Sequence, residues 1–341
     1  MSPVNVAIVG TGFMAVAHIK ALRQIPAARI AALCNPSGRN LDGDFSNVFG
    51  NVGTHEPVRL DMREVKVYRD FASLLADPDI HVVDITTPTH LHAEQAIAAL
   101  RAGKHVMCEK PLARSAADAR AIVAEALQSK GFLMPAMCLR FWPEWAWLKQ
   151  TIAEGGYGRV LSARFRRVAE PPVWGGFLDG KKSGGALLDL HIHDADFIQF
   201  CFGRPRRVFA SGHSSVSGAI DHVVSQYDVA SGVVVHAEGS WAMARGFGFN
   251  MAYTVNFERA TADYDIARGK EALKLFEPNQ PARVVTCEGG DGYVGEWRHF
   301  LEAIQTGKPP SIVTPADGAA AVELCEAEEQ SIATGQPVEL R

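Results

Sequence analysis

Residues 4–15 read VNVAIVGTGFMA, and this stretch decides the fold. Residues 4–9 form a short, apolar, β-branched run, which is typical of a buried parallel strand. The next six residues, Gly10-Thr11-Gly12-Phe13-Met14-Ala15, fit the pattern G-x-G-x-x-G/A and lead into a helix predicted over 15–24. The first glycine permits a tight turn, the second lets a pyrophosphate approach the backbone, and the small third residue allows close helix packing. The stretch predicts a dinucleotide-binding turn, and a turn that serves packing alone is the alternative.

Strands and helices alternate beyond this turn. Strands are predicted over 29–34, 81–86 and 105–108, helices over 71–76, 92–102 and 116–130, and a loop over 35–66. This alternation predicts an α/β fold with a doubly wound parallel sheet, which binds ligands at the carboxyl ends of its strands.

The pattern changes after residue 141. Strand-like runs follow at 159–168, 206–213, 222–229, 232–241, 251–258 and 262–266, and helices are predicted over 292–306 and 315–334. Few helices separate these strands, which predicts a mostly antiparallel sheet in an α+β domain. We therefore expect one domain over 1–140 and another over 141–341, with the last helices able to pack back on the first.

Composition narrows the class of protein. The chain has 341 residues, 47% hydrophobic and 21% charged, and a formal net charge of −4, which favours a globular protein with no nucleic-acid or membrane partner. The start of the chain shows no signal-like segment, and no run approaches the ~20 apolar residues that cross a bilayer. The six cysteines show no CxxC pair, which favours free thiols in a reducing compartment. We expect a cytoplasmic protein.

The end of the second predicted strand bears on the choice of dinucleotide. An acidic residue there binds the ribose hydroxyl of NAD, but this chain has Asn35. Asn35 does not repel a 2′-phosphate, and Ser37 and Arg39 are placed to bind one. The sequence leans towards NADP and leaves NAD open, and Arg39 as an ordinary solvated loop residue is the alternative.

Two further motifs carry reactive side chains. Lys110 follows the strand at 105–108, and Pro111 restricts its backbone, so the lysine is held at the sheet edge where ligands bind. Asp189 and His193 are four positions apart in GGALLDLHIHDAD, residues 184–196, which puts them on one face of a predicted helix. An imidazole next to a carboxylate suits removal of an alcohol proton as a hydride leaves the carbon.

Simpler interpretations of both motifs remain open. A lone Glu-Lys-Pro tripeptide is most often a surface turn, and residues four apart are often a surface pair. His191, His193, Asp194 and Asp196 also suggest a metal site, but residues 191 and 193 face different sides of a helix, so we predict no metal. Asp194 and Asp196 are better explained by packing.

Four stretches in order resemble the Gfo/Idh/MocA oxidoreductases over essentially the whole chain. They are GTGFMA at 10–15, ITTPTHLHAEQA at 85–96, AGKHVMCEKPLA at 102–113 and GGALLDLHIHDAD at 184–196. The resemblance implies a Rossmann domain, an α+β domain whose open sheet often forms the interface of a homo-oligomer, and a sugar, cyclitol or related polyol as substrate.

The resemblance also assigns roles by position. Lys110 matches the lysine that contacts cofactor and substrate hydroxyl, His193 the proton acceptor and Asp189 its partner. The implied cofactor contacts are Gly10, Gly12, Phe13, Met14, Thr86, Thr87, Pro88, His92, Glu109 and Lys110, joined by Asn35, Ser37 and Arg39. The expected substrate contacts are Lys110, Arg140, Trp174, Asp189 and His193, while Trp142, Tyr293 and His299 are weaker candidates.

The chain departs from the family pattern in several places. Residues 40–64 look like an insertion near the adenosine end, Cys138 stands where asparagine is common, and His191 stands where glycine is frequent, either to contact substrate or to pack. The leading hypothesis is reversible oxidation of a secondary alcohol with NAD or NADP. An NAD-dependent glycosidase or lyase with transient redox, and a cofactor-binding regulator without turnover, are the alternatives.

Overall fold

The computed structural model describes residues 3–48, 50, 56–172 and 176–340. Its strands in chain order are β1 (Val4–Val9), β2 (Ala28–Cys34), β3 (Lys66–Tyr68), β4 (Val82–Ile85), β5 (His105–Glu109), β6 (Leu133–Ala136), β7 (Val160–Ala169), β8 (Arg207–His213), β9 (His222–Asp228), β10 (Val234–Ser240), β11 (Phe249–Phe257), β12 (Thr261–Asp265), β13 (Leu273–Phe276), β14 (Arg283–Val284) and β15 (Val338–Glu339).

The α-helices are α1 (Phe13–Leu22), α2 (Phe71–Leu75), α3 (His92–Arg101), α4 (Ala116–Gln128), α5 (Pro143–Glu154), α6 (Gly180–Ser183), α7 (Ile192–Phe202), α8 (Gly292–Thr306) and α9 (Pro315–Thr334). Short 3₁₀ helices occupy Met62–Glu64, Thr89–Leu91, Cys138–Phe141 and Ile266–Glu271, and a π-helical turn spans Leu187–His191. Within the described residues, no helix is both long and apolar enough to cross a membrane.

The chain divides into two compact units. Unit 1 comprises Met1–Phe141 and Gly290–Ala319, and unit 2 comprises Trp142–Gly289 and Ala320–Arg341. Helix α8 therefore belongs to unit 1 although it follows most of the strands of unit 2 in sequence. Dinucleotide binding by residues 1–140, and substrate binding and oligomerisation by residues 141–341, stay predictions.

Unit 1 is built on a six-stranded parallel sheet in the order β3-β2-β1-β4-β5-β6. This is the strand order of a Rossmann fold, whose order reverses between β1 and β4. Strands β4 and β6 are buried at every position, because helices cover both faces of a doubly wound sheet. The predicted doubly wound parallel sheet is confirmed, with β3 and β6 as edge strands that the sequence pattern did not identify.

The connection from β2 to β3 contains no α-helix in its described part, only the 3₁₀ turn Met62–Glu64. Leu41, Phe45 and Val58 are nonetheless buried there, and Phe45 N donates to Val58 O at 2.9 Å. These three buried apolar side chains thus attach the long loop to unit 1, although the loop shows no helical periodicity in its sequence.

Unit 2 is built on a nine-stranded sheet in the order β14-β13-β12-β11-β7-β10-β9-β8-β15. Among the described strands of this sheet, only β7 and β10 pair in parallel, so the predicted mostly antiparallel sheet is confirmed. Strands β8 and β9 alternate buried and exposed residues, which leaves one face of the sheet accessible. On the buried face, the Trp145 ring of α5 lies 4.9 Å from Phe197 and 5.1 Å from Tyr253, measured between ring centroids.

Candidate functional site

The glycine turn between β1 and α1 leaves room for an anion. Gly10 has a φ of +91°, and a Cβ atom there would lie 2.8 Å from Thr86 O, so no larger residue fits. A Cβ at Gly12 would meet nothing within 4 Å, and α1 begins directly after Gly12 with no side-chain cap. A helix that begins at an uncapped glycine after a tight turn is the arrangement that binds a pyrophosphate. Phe13 and Met14 form the first turn of this helix.

Asn35, at the end of β2, is held by its own loop. Its amide Nδ2 donates to Thr11 Oγ1 at 2.5 Å, and its Oδ1 accepts from Ser37 N and Ser37 Oγ at 3.0 and 2.9 Å. Arg39 is exposed next to it. These bonds fix the loop in place and leave the Arg39 guanidinium, the charged group of this loop, facing solvent.

A second arginine at this edge was not identified from the sequence. Cys34 pairs with Tyr68 in the parallel register of β2 and β3, so Asn35 and Arg69 leave the sheet side by side. A Cβ at Gly38 would lie 2.7 Å from Arg69 Nη2, which places the Arg69 guanidinium over this loop. The sequence signal was weak, because β3 has only three residues.

The described part of the 40–64 segment contacts the glycine turn. Asn40 Nδ2 donates to Thr11 O at 3.0 Å, and Thr11 Oγ1 donates to Arg39 O at 2.8 Å. A Cβ at Gly50 would overlap the ring of Phe13, so Gly50 lies directly against that ring. The segment supports the turn from the side of β2.

The ends of β4 and β5 are tied together by a buried histidine. Thr86 Oγ1 donates to Val9 O and Gly10 O at 3.1 Å each. The two ring nitrogens of His92 lie 2.8 Å from Thr87 O and from Pro111 O. His92 is 1% exposed, so it bridges two loops rather than presenting its ring to solvent. Its predicted cofactor contact, like those of Thr86, Thr87 and Pro88, stays a prediction.

The Glu-Lys-Pro turn leaves β5 at the same sheet edge. The Lys110–Pro111 peptide bond is cis. Glu109 Oε2 accepts from Lys110 N at 3.0 Å, and the other carboxylate oxygen lies 3.1 Å from His18 Nε2. Glu109 thus faces the interior of unit 1, and the roles predicted for Glu109 and Lys110 stay predictions.

Several expected substrate contacts have other partners. Arg140 is 5% exposed, donates from Nη1 to Ile312 O at 2.7 Å and pairs with Asp317 at 3.3 Å. His299 Nε2 accepts from Ser311 N and Ile312 N at 3.1 and 3.2 Å. Arg140 and His299 therefore hold the loop before α9, and substrate contact by Arg140 stays a prediction.

Of the remaining candidates for substrate contact, Trp174 lies outside the described residues. The ring of Tyr293 lies in unit 1, 6.2 Å from the ring of His18, and Cys138 is buried in the same unit.

In unit 2, two glycines shape the approach to the predicted Asp/His pair. Gly184 and Gly185 have φ values of +84° and +72°, and a Cβ at Gly185 would lie 2.5 Å from Ile220 O. The chain then enters the π-helical turn Leu187–His191, which carries Asp189, and continues into α7, whose first turn carries His193. The sequence predicted one continuous α-helix here. The π turn corrects this, and such turns occur often at functional sites.

His191 points into the interior of unit 2. It is fully buried, and its Nε2 lies 2.9 Å from Tyr227 Oη and 3.1 Å from Glu328 Oε1. A Cβ at Gly239 would lie 2.5 Å from His191 Cβ, so a glycine opposite makes space for this imidazole. Of the two roles left open for His191, the structure shows packing.

Asp194 is also explained by packing. Arg167 Nε donates to Asp194 Oδ2 at 2.7 Å, and both side chains are almost fully buried. This ion pair fixes α7 against β7.

The architecture and these motifs define an oxidoreductase with a dinucleotide-binding domain. Residues 4–137 match the family model described as an oxidoreductase family with an NAD-binding Rossmann fold, and residues 145–263 match the GFO/IDH/MocA C-terminal domain. The chain belongs to the Gfo/Idh/MocA oxidoreductase family.

Similar proteins include two dehydrogenases and a reductase. Levoglucosan dehydrogenase of Pseudarthrobacter phenanthrenivorans is 30% identical over 83% of this chain and 79% of its own length. The 1,5-anhydro-D-fructose reductase of Ensifer adhaerens is 31% identical, covering 78% and 82%. Myo-inositol 2-dehydrogenase of Thermotoga maritima is 29% identical, covering 81% and 84%.

Solved structures agree with this family. Levoglucosan dehydrogenase in complex with NADH superimposes with a TM-score of 0.86 at 25% identity over 100% of both chains. Its complex with NADH and L-sorbose gives the same TM-score at 26% identity.

Proposed function

We propose that this chain transfers a hydride between a nicotinamide dinucleotide and a secondary alcohol of a cyclic sugar, anhydro sugar or polyol. The observation that carries the proposal lies in unit 1. Strands β1, β4 and β5 end at one sheet edge, which brings the open N-terminus of α1 to the same edge as Lys110. A pyrophosphate site and a lysine ammonium at one edge suit a dinucleotide and a reacting hydroxyl.

The nicotinamide supplies or accepts the hydride when bound. In the proposal, Lys110 donates to the substrate hydroxyl and orients it, and His193 accepts the hydroxyl proton. Asp189 orients the His193 ring and favours its charged form. Residues 1–140 bind the cofactor, and residues 141–341 bind substrate and mediate assembly.

Relatives support the substrate class by their names alone. Levoglucosan, 1,5-anhydro-D-fructose and myo-inositol share a rigid ring that carries secondary oxygen functions. In unit 2, Phe177, Leu190 and Phe249 form a partly exposed apolar surface on Trp241, and Leu190 is the neighbour of Asp189. Such a surface suits the C–H face of a ring, so we propose ring substrates over open-chain polyols.

The mechanism is tested by Lys110→Ala and His193→Ala. We expect each to lower kcat by about 10²–10⁴-fold on the best ring substrate, because proton transfer and hydroxyl orientation contribute that much. Cofactor reduction is followed by absorbance, and Lys130→Ala and His213→Ala, at exposed positions, are the controls. Full turnover by both active-site variants overturns the mechanism. Product formation without stoichiometric cofactor reduction at steady state indicates the glycosidase or lyase instead.

For the cofactor, we propose NADP. Asn35 brings no carboxylate to the 2′ position, and the Arg39 and Arg69 guanidiniums both lie at this loop. Two arginines suit a phosphate that carries close to two negative charges.

Separate titrations of NADP and NAD test this choice. We expect NADP to bind at least about tenfold more tightly, and Arg39→Ala and Arg69→Ala to weaken NADP by about tenfold each with little effect on NAD. Arg23→Ala, an exposed arginine after α1, is the control. Tighter NAD binding that neither arginine affects contradicts the proposal.

We also propose a cytoplasmic homo-oligomer. All six cysteines are free thiols, which suits a reducing compartment. The accessible face of the nine-stranded sheet is the proposed surface for self-association.

A further inference from the structure

A buried histidine in unit 1 lies between two carboxylates. His18 of α1 is fully buried, and its Nδ1 lies 2.9 and 3.0 Å from the two carboxylate oxygens of Asp84. Its Nε2 lies 3.1 Å from Glu109 Oε1. A neutral imidazole has only one N–H, so two ionised carboxylates can both be satisfied only by the imidazolium. Burial alone lowers the pKa of His18, but Asp84 and Glu109 raise it well above its ordinary value.

A third carboxyl group lies close to this arrangement. Glu296 Oε1 of α8 is 3.7 Å from His18 Nε2, and both Glu296 oxygens are buried with no hydrogen-bond partner among the described residues. Burial raises the pKa of Glu296 well above its ordinary value, which keeps it neutral. The single imidazolium therefore balances Asp84 and Glu109 and not a third charge.

The arrangement continues directly to the proposed reactive lysine. Glu109 uses one oxygen for His18 and the other for Lys110 N at 3.0 Å. Asp84 of β4, His18 of α1, Glu109 of β5 and the Lys110 amide thus form one continuous series of hydrogen bonds. Because Glu109 contacts both groups, the imidazolium holds the carboxylate that accepts from the peptide N–H of Lys110.

We propose that His18 is a positioning residue for hydride transfer, acting through Glu109 to hold the Lys110 backbone at the carboxyl end of β5. This inference rests on the proposed function, since Lys110 is its reactive group. Without the imidazolium, Glu109 Oε1 loses the charged donor that holds it in place. A Glu109 side chain that is not held at Oε1 positions the Lys110 amide less firmly, because charge-assisted hydrogen bonds are the stronger ones.

The charge of His18 is tested first without turnover. In cofactor-free protein labelled with ¹⁵N-histidine, we expect the His18 imidazole to keep both N–H protons at about pH 7, above the ordinary histidine pKa. His18→Gln identifies that signal by removing it, and Glu109→Gln is expected to lower the pH at which it deprotonates. A His18 ring that is neutral at about pH 7 overturns the proposal.

The positioning role is tested by pH profiles of kcat. We expect His18→Gln to lower kcat about tenfold or more, with a loss that deepens as the pH falls through the raised pKa of His18, because the imidazolium forms there in the wild-type protein. Glu109→Gln, which retains an acceptor but no charge, is expected to lower kcat without this deepening. The double variant is expected to resemble Glu109→Gln, because coupled residues are not additive. His105→Gln is the control, since His105 lies at the opposite end of β5 from Glu109. Its Nδ1 accepts from Phe132 N at 2.9 Å.

The outcomes separate a positioning role from a structural one. A uniform loss of activity at every pH, or additive losses in the double variant, shows that His18 only stabilises the fold and overturns the proposal. If His18→Gln does not fold, the proposal is decided by the pH profile of kcat for Glu109→Gln and by the N–H signals of the His18 imidazole in the wild-type protein. Failure of the proposed function is recognised separately, because Lys110→Ala is then fully active.

Discussion

At the scale of single residues, the buried polar groups of unit 2 hold the turn that carries Asp189. His191 packs against Tyr227 of β9 and Glu328 of α9, and Tyr227 Oη donates to Glu328 Oε1 at 2.5 Å. Burial lowers the pKa of His191, but Glu328 and, less strongly, Asp194 raise it above its ordinary value, against the opposing charge of Arg167. The contacts of His191 with Tyr227 and Glu328 therefore fix the end of the π turn.

Glu328→Gln is expected to destabilise the protein most at acid pH. A histidine whose folded pKa is raised contributes stability that is fully present below its unfolded pKa of about 6.5 and is lost as the pH rises through the folded value. We expect a loss of about 2 kcal/mol in the free energy of unfolding near pH 6 and a smaller loss near pH 9. Urea unfolding at both pH values measures it.

Glu329→Gln is the matched control, because Glu329 is exposed on the same helix. An equal loss at pH 6 and pH 9 for Glu328→Gln would contradict the charged His191. No loss at either pH would contradict the pair itself.

At the residue scale, sequence patterns predicted reactive groups but not the buried side chains that surround them. Lys110, Asp189 and His193 stand in local motifs, and each motif can be recognised within a dozen residues. His18 lies 66 positions from Asp84 and 91 from Glu109, so nothing local links them. The same holds for Arg69, whose place next to Gly38 follows from strand pairing alone.

At the scale of elements, the turn into the π helix depends on glycine. Gly184 closes α6 in a left-handed conformation, and Gly185 continues with a second positive φ. Leu187 N donates to Ile220 O at 3.1 Å, the same carbonyl that a Cβ at Gly185 would meet. The close approach of these two backbone segments fixes the start of the π turn that carries Asp189.

Gly185→Ala tests this dependence. Gly155→Ala is the control, because Gly155 is also left-handed at the end of a helix but has nothing within 4 Å of an added Cβ. We expect the control to lose about 1–2 kcal/mol in the free energy of unfolding, from the left-handed backbone alone. Gly185→Ala is expected to lose more and to lower kcat as well, measured by thermal unfolding and cofactor reduction. Equal losses of stability with unchanged kcat would show that the close approach is not needed.

Elements with strong periodicity were predicted well, and irregular ones were not. Helices α3, α4, α8 and α9 and strands β8 to β12 lie within a few residues of their predicted bounds. Strands β3, β14 and β15 have two or three residues each, too few to show a pattern. The π turn Leu187–His191 has a residue pattern that also suits an α-helix, so the sequence does not distinguish the two.

At the scale of the whole molecule, one face of the nine-stranded sheet remains accessible. Phe209, Val224 and Val234 are 42%, 43% and 55% exposed, and each alternates with buried neighbours on its strand. Arg164, Arg166 and Glu238 lie on the same face, with Arg166 and Glu238 paired at 3.4 Å. Apolar side chains among charges of both signs suit a self-complementary interface.

Phe209→Asp combined with Val224→Asp is expected to dissociate the proposed homo-oligomer into monomers. Burying two carboxylates in an interface costs several kcal/mol per subunit, on the order of the stability of a typical dimer contact. Light scattering coupled to size exclusion measures the mass. Leu127→Asp is the control, since Leu127 is 82% exposed on α4 of unit 1. A wild-type protein that is monomeric at micromolar concentration would contradict the proposal.

The sequence by itself determined the glycine turn after β1, the order of most strands and helices, and the family, and it predicted Lys110, Asp189 and His193 as reactive residues. These follow from short-range rules, because a glycine pattern, a hydrophobic period or a motif is complete within one stretch of chain. Tertiary structure alone decided that His18 lies between Asp84 and Glu109, that His191 packs inward, and that Arg140 holds a loop. The partner of a buried polar group is set by how elements distant in sequence pack together. The residues next to that group in the sequence therefore do not reveal its partner.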